Sequence, residues 1–135
     1  MYNELKIIAE TNNFEFIYAR RDFQNLNRGS EDLEKIFLFL DPIQKNDQFD
    51  EYSNLLSTSY NGTFMLVKQS KLGDKYQHRF ETTIRPLLEE KLNIITDSFG
   101  CTDYSIDSWN TTEIINVFSQ NFDGVIVSYS ITHEH

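Results

Sequence analysis

The chain has 135 residues, a length that suits one domain with one core. Its formal net charge of −9 disfavours a general nucleic-acid binder, because such a protein neutralises phosphates with Lys and Arg. Hydrophobic residues make up 39% of the chain and aromatic residues 14%, enough apolar material for a folded core. The single cysteine, Cys101, excludes an internal disulfide, and no apolar run approaches the roughly 18 residues that a membrane-spanning helix needs.

The N-terminal segment predicts a short helix over residues 3–12. Leu5, Ile8 and Ala9 share one face at helical spacing. Asn3 precedes this run and is a possible N-cap. The segment lacks the basic start and long apolar region of a secretory signal, so we expect a protein made in a reducing cytoplasm.

Two strands and a long connection follow. Residues 14–19 alternate between aromatic and other side chains, which predicts the first strand. Residues 20–32 are polar and form a connection. Residues 35–41 predict a second strand that is apolar on both faces, so each face needs a cover. One cover can be a helix of this chain, and the other a folded-back loop or a neighbouring subunit.

A second long connection is predicted over residues 43–61, which are charged around their middle. Connections of this length are usually functional or disordered. Asn61 and Gly62 form a turn signal, and residues 63–68 predict a third strand.

The main helix is predicted from Asp74, a plausible N-cap with Gln77 three residues later, to Gly100 at its C-terminus. Pro86 is expected to kink or split this helix near Arg85. Its apolar stripe consists of Tyr76, Phe80, Ile84, Leu88, Leu92, Ile95 and Phe99.

The last third of the chain predicts a sheet that closes on this helix. Residues 104–109 predict a fourth strand, residues 111–120 fit neither period well, and residues 125–132 alternate as a strand with one apolar face. The predicted fold is a single α+β domain over residues 1–135. It has a mostly antiparallel sheet of about four to five strands on one long amphipathic helix, a short N-terminal helix and two long loops.

Candidate chemistry is sparse. His133, Glu134 and His135 contain metal-ligand side chains, but chain ends are usually mobile and offer no preorganised cage. Cys101 is expected to be a small buried residue at a helix end. We therefore predict no catalytic residue, no cofactor and no metal site.

Two surface segments are candidates for a subunit interface. Arg20, Arg21 and Arg28 with Phe23 form a basic and aromatic patch in the first connection, although an ordinary charged loop has the same composition. The candidate residues of the second connection are Asp47, Phe49, Asp50, Glu51 and Tyr52. The basic patch is expected to dock on such an acidic surface of another copy.

The order of elements resembles small head–tail connector and tail-terminator proteins of tailed bacteriophages, in which a long helix is followed by a strand, a Trp-containing turn and an alternating last strand. Residues 113–125, EIINVFSQNFDGV, resemble the approach to that strand. Residues 36–42, IFLFLDP, resemble a segment in proteins of phages that infect Bacteroides-like hosts.

The resemblance implies a structural, non-enzymatic virion protein that is assembled in the host cytoplasm. Copies would form a ring at the neck or tail, next to other neck, tail or portal proteins, without sequence-specific nucleic-acid binding and without a membrane. Two alternatives stay open. One is a cytoplasmic protein-binding module that uses a sheet edge or an apolar sheet face, and the other is a small α+β enzyme with a concave pocket.

Overall fold

Within the residues that the structure describes, six strands form one sheet and two helices pack on one of its faces. The computed structural model describes residues 1–18, 35–69, 73, 75–117 and 122–135, with only the backbone of residues 116 and 117. The strands are β1 (Glu15–Tyr18), β2 (Ile36–Leu40), β3 (Gln44–Phe49), β4 (Leu55–Gln69), β5 (Tyr104–Val117) and β6 (Phe122–Glu134). The helices are α1 (Tyr2–Thr11) and α2, which runs over residues 76–99.

The sheet has the order β1-β2-β4-β6-β5, and β3 also pairs with β4. The β1–β2 pair is parallel and the other pairs are antiparallel. Strands β2 and β3 lie along the same side of β4, because β2 pairs with Phe64–Lys68 and β3 pairs with residues 55–61. The predicted α+β class is confirmed, with a mixed sheet of six strands in the described residues.

The predicted connection over residues 43–61 is wrong, because these residues form β3, a turn and the first half of β4. β3 has no apolar alternation, so its sequence carries no strand signal. Asn61 pairs with Gln44 and Ser130 in mid-strand instead of turning. Gly62 lies under the Tyr129 hydroxyl, and a Cβ at this position would be 2.8 Å from that oxygen.

The helix-facing core joins α1 and α2 to the sheet. Leu5, Ile8 and Ala9 are buried as predicted, whereas the N-cap is Met1 and not Asn3. The sheet contributes alternate residues of its central strands, as expected for one face of each strand. These residues are Leu38, Leu40, Phe64, Leu66, Val125, Val127, Tyr129 and Ile131.

Helix α2 is bent and contains two π-helical stretches, Phe80–Ile84 and Leu87–Lys91, on either side of Pro86. A proline has no N–H to donate and its ring displaces the preceding carbonyl, which favours such wider turns. The wider turns move the buried face, so Leu87 is buried and Leu88 only half-buried. The predicted bend is confirmed. Asp74, the expected N-cap, lies outside the described residues, and Lys75 occupies the N-cap position.

The sheet face opposite the helices has two parts. Its first part is a buried apolar cluster formed by Ile17, Phe37, Phe39, Met65, Val67 and Phe122. Phe37 and Phe39 are buried within a single chain, so both faces of β2 are covered without a neighbouring subunit. The second part is hydrophilic and is called the polar face below. Its residues on β3, β4, β6 and β5 are Gln44, Asn46, Gln48, Ser57, Ser59, Asn61, Thr63, Ser128, Ser130, Thr132, Ser108, Asn110 and Thr112.

A buried ion pair joins the start of α2 to the start of β6. The Arg79 guanidinium nitrogen Nη1 lies 3.6 Å from Asp123 Oδ1, and both side chains are buried. A buried charge is tolerated only beside compensating groups, because leaving water costs several kcal/mol for each ion. The pair therefore fixes where the helix crosses the sheet.

We predict that Gly124→Ala destabilises the fold by about 3 kcal/mol, the upper end of the usual cost of overpacking. A Cβ at Gly124 would lie 2.1 Å from the Leu66 carbonyl oxygen, so the β4 backbone must shift. Denaturant unfolding measures the change. Gly100→Ala is the control, because Gly100 has an ordinary helical φ of −62°, and its expected change is below about 1 kcal/mol. Equal stability of the two variants would contradict the close approach.

We predict that Asp123→Ala alone costs about 3–5 kcal/mol, because it leaves the Arg79 charge buried without this carboxylate. The double variant Arg79→Met with Asp123→Leu removes both charges and should recover most of that loss. The free energy of unfolding in denaturant tests both variants. A double variant as unstable as Asp123→Ala would show that the pair is not the relevant interaction.

Candidate assembly interface

The β3–β4 hairpin ends in a rigid turn over residues 50–54. The Asp50 Oδ1 atom accepts hydrogen bonds from the backbone N–H groups of Tyr52, at 2.8 Å, and Asn54, at 2.9 Å. The Asn54 side-chain amide donates to Asp50 Oδ2 at 3.2 Å. The hydrogen bond from the Asn54 backbone, with that from Tyr52, lowers the pKa of the Asp50 carboxyl group. Asp50 is therefore a turn-forming residue.

This turn displays apolar side chains in solvent, and we call Phe49, Tyr52, Leu55 and Leu56 the arm tip. The exposed fraction is 58% for Phe49, 77% for Tyr52 and 49% for Leu56. Single exposed apolar residues are common, but a contiguous group marks an interaction surface more often. Aromatic residues are also enriched in protein interfaces. The arm tip is thus the strongest candidate contact surface in the described residues.

The base of the hairpin is held by the end of β6. The Thr58 hydroxyl donates to Asp47 Oδ1 at 2.7 Å and contacts His135 Nε2 at 3.0 Å. Because the hydroxyl has one proton and gives it to Asp47, the imidazole nitrogen is the donor to Thr58. The His135 backbone N–H also donates to the Leu56 carbonyl oxygen at 2.9 Å. The expectation of a mobile C-terminal tail is therefore wrong.

The predicted interface residues are placed as follows. Asp47 lies on β3, where it pairs with Thr58 and has Lys45 Nζ at 3.7 Å, so much of its charge is compensated within the hairpin. Phe49, Glu51 and Tyr52 lie at the exposed end of the hairpin. Arg20, Arg21, Phe23 and Arg28 lie outside the described residues. Their pairing with the acidic segment stays a prediction.

Three strand edges are open among the residues that the structure describes, namely the outer edges of β1, β3 and β5. The edges of β3 and β5 are the longer two, since β1 has four residues. Ser108, Asn110 and Thr112 of β5 are exposed, as are Lys45 and Gln48 of β3. Sheet edges present unpaired N–H and C=O groups that can bind another strand. The sequence indicates neither edge, because residues 111–120 have no clear period and β3 has no apolar alternation.

A cleft of about 320 Å³ lies between α1 and the end of α2 and is lined partly by Glu4, Ile7 and Ile8. The Glu4 carboxylate is engaged by the Met1 amino group at 2.7 Å. Burial, with the Glu4 charge, raises the pKa of the nearby Tyr104 hydroxyl to about 12. Within the described ranges, no group of three His, Cys, Asp or Glu side chains is arranged to hold a metal ion. Cys101 is exposed, contrary to the expectation of burial.

The sequence matches no protein-family model, and no curated protein matches it. Among the helices in the described part of the chain, none has the length and apolar character needed to cross a membrane.

Proposed function

We propose that this protein is a structural subunit that assembles with copies of itself, and that its setting is the neck or tail ring of a tailed phage or prophage. The phage setting rests on the resemblance of residues 113–125 to connector and tail-terminator proteins and of residues 36–42 to proteins of phages that infect Bacteroides-like hosts. The virion, reached after assembly in the host cytoplasm, is the proposed location. Neighbouring neck, tail or portal proteins are the proposed further partners.

The observation that supports assembly is the arm tip on its hairpin. Phe49 and Tyr52 are more than half exposed, and the Asp50 hydrogen bonds hold the turn between them in one conformation. Rigid aromatic side chains contribute contact area at a low entropic cost. A prearranged apolar tip is costly in solvent and favourable once a partner covers it.

The protein-binding-module alternative is supported by the open edge of β5, since an extended peptide can add a strand to such an edge. The two functions differ in their partner. A ring subunit occurs at a fixed stoichiometry within a particle, whereas a binding module stays with soluble host or phage proteins.

We expect the protein in density-purified particles from the source culture at a fixed, small copy number relative to the capsid protein. A ring subunit contributes a closed set of copies to each particle. Quantitative mass spectrometry measures this ratio. If the protein is absent from the particles and soluble in the lysate, the proposal of a virion subunit fails and the binding-module alternative gains support.

We predict that the double variant Phe49→Ser with Tyr52→Ser weakens self-association by about tenfold or more for each side chain, because each loses roughly 1.5 kcal/mol of apolar burial. Sedimentation velocity over a concentration series measures association, and circular dichroism monitors the fold. Ile7→Ser is the matched control, since Ile7 on α1 is 63% exposed but lies outside the arm tip. Unchanged association in the double variant would remove the arm tip from the interface.

A further inference from the structure

We infer that copies of this chain join edge to edge, with β3 of one copy pairing antiparallel to the Ser108–Ile114 stretch of β5 in the next copy. This inference rests on the proposed function and names the surfaces that the assembly uses. In the inferred register Phe49 lies opposite Trp109, Gln48 opposite Asn110, and Lys45 opposite Glu113.

The strand directions support this pairing. β3 is antiparallel to β4, β4 to β6, and β6 to β5, so β3 and β5 of one chain run in opposite directions. A neighbouring copy placed beside the first in the same orientation brings its β3 antiparallel to the first copy's β5. Antiparallel ladders are the somewhat more stable kind. The same placement keeps the polar face of both copies on one side of the joined sheet.

The lengths of the two edges also match. The pairing of β5 with β6 is irregular between Ile106 and Ser108 and again between Ile114 and Val117. Bulges disturb an edge locally, so the regular edge between them is the seven-residue stretch from Ser108 to Ile114. β3 has six residues, and its pairing with β4 is regular from Gln44 to Gln48 and shifts between Gln48 and Phe49. The regular part of one edge therefore accommodates the whole of the other.

The register follows from side-chain chemistry. Lys45 pairs with Tyr60 and Glu113 pairs with Val125, two residues of the helix-facing core, so the side chains of Lys45 and Glu113 lie on that side of the sheet. The pairing of β3 with β4 shifts between Gln48 and Phe49. A register with Lys45 opposite Glu113 also brings the exposed Phe49 next to Trp109, which is an aromatic neighbour. The same register puts the exposed Lys45 ammonium opposite the exposed Glu113 carboxylate, and opposite charges stabilise such pairs. Within one copy Lys45 Nζ also lies 3.7 Å from Asp47, and the Tyr76 hydroxyl donates a hydrogen bond to Glu113 at 2.7 Å.

Charge also disfavours the competing self-pairing of β5. Asp103, Asp107 and Glu113 lie in or next to this strand, and the sequence has no Lys or Arg between residues 102 and 117. An antiparallel β5–β5 pair centred on Asn110 would put Asp107 opposite Glu113, and like charges at directly opposite positions are destabilising. A contact between β3 and β5 avoids this repulsion, and a contact between two different edges gives head-to-tail growth that can close into a ring.

Cysteine cross-linking tests the register. In a Cys101→Ser background, which removes the exposed native thiol, we would compare Gln48→Cys, Asn110→Cys and the double variant under mild oxidation. Directly opposite residues of an antiparallel pair have Cβ atoms about 5 Å apart, which is within reach of a disulfide after small adjustments. Sedimentation of each variant without oxidant, together with the particle measurement above, reports assembly independently of cross-linking.

The expected result is a ladder of cross-linked oligomers from the double variant, dimers only from a mixture of the two single variants, and monomers from each single variant alone. Dimers from one single variant would show a two-fold contact and overturn the inference. Assembly without a cross-linked ladder would overturn edge pairing and leave the proposed function standing. Absence of assembly in solution and in particles would overturn both.

Charge reversal tests the same register without new thiols. Lys45→Glu and Glu113→Lys should each weaken association by about fivefold, because each puts like charges opposite one another. The double reversal should restore association, since the pair is again of opposite sign. If the double reversal is as weak as the single variants combined, Lys45 and Glu113 are not partners and the register is wrong.

Discussion

The pairing of β4 with β6 is the interaction on which the rest of the structure depends. Every residue from Ser57 to Gln69 pairs with a residue between Glu134 and Phe122. β4 carries β2 and β3 on its other side, and β6 carries β5. The same two strands supply the apolar face that the helices cover. The long pairing therefore supports the core at one end and the projecting hairpin at the other. The arm tip and the open edges of β3 and β5 consequently have fixed positions relative to the core.

Much of the core could be predicted from the sequence, because its elements have an apolar face. The buried face of α1, the two-sided burial of β2 and the alternation in β6 all produce clear periodic patterns. Hydrophobic periodicity does not predict a strand that is held by backbone pairing without apolar contacts. The sequence of β3 is typical of a charged connection, because the strand is held by backbone pairing with β4 and not by an apolar face of its own. In α2 the stripe is displaced from Leu88 to Leu87 because π-helical turns change the spacing beside Pro86.

The candidate interface was predictable only in part. The sequence places Phe49 and Tyr52 in an unusual segment, but it does not indicate that Asp50 folds this segment into a rigid turn. The sequence also does not indicate that Asp47 and Asp50 accept hydrogen bonds within the hairpin, and their predicted contact with the arginines stays a prediction. Open edges cannot be read from a single strand, because strand order is a property of the whole sheet. β5 is an edge strand only because β6 returns between it and β4.

The polar sequence of β3, which is why the strand was not predicted, also suits an exposed sheet edge. A strand with an apolar face would have to be buried, whereas Gln44, Asn46 and Gln48 remain in water without penalty. The charges at the two edges then decide which strands can meet. β5 is acidic and has no Lys or Arg along residues 104–117, which disfavours pairing of β5 with itself. β3, in contrast, has a cationic side chain at Lys45. In this arrangement the charged residues that stay hydrated at the edges of a single copy also favour pairing between β3 and β5 over pairing of β5 with itself.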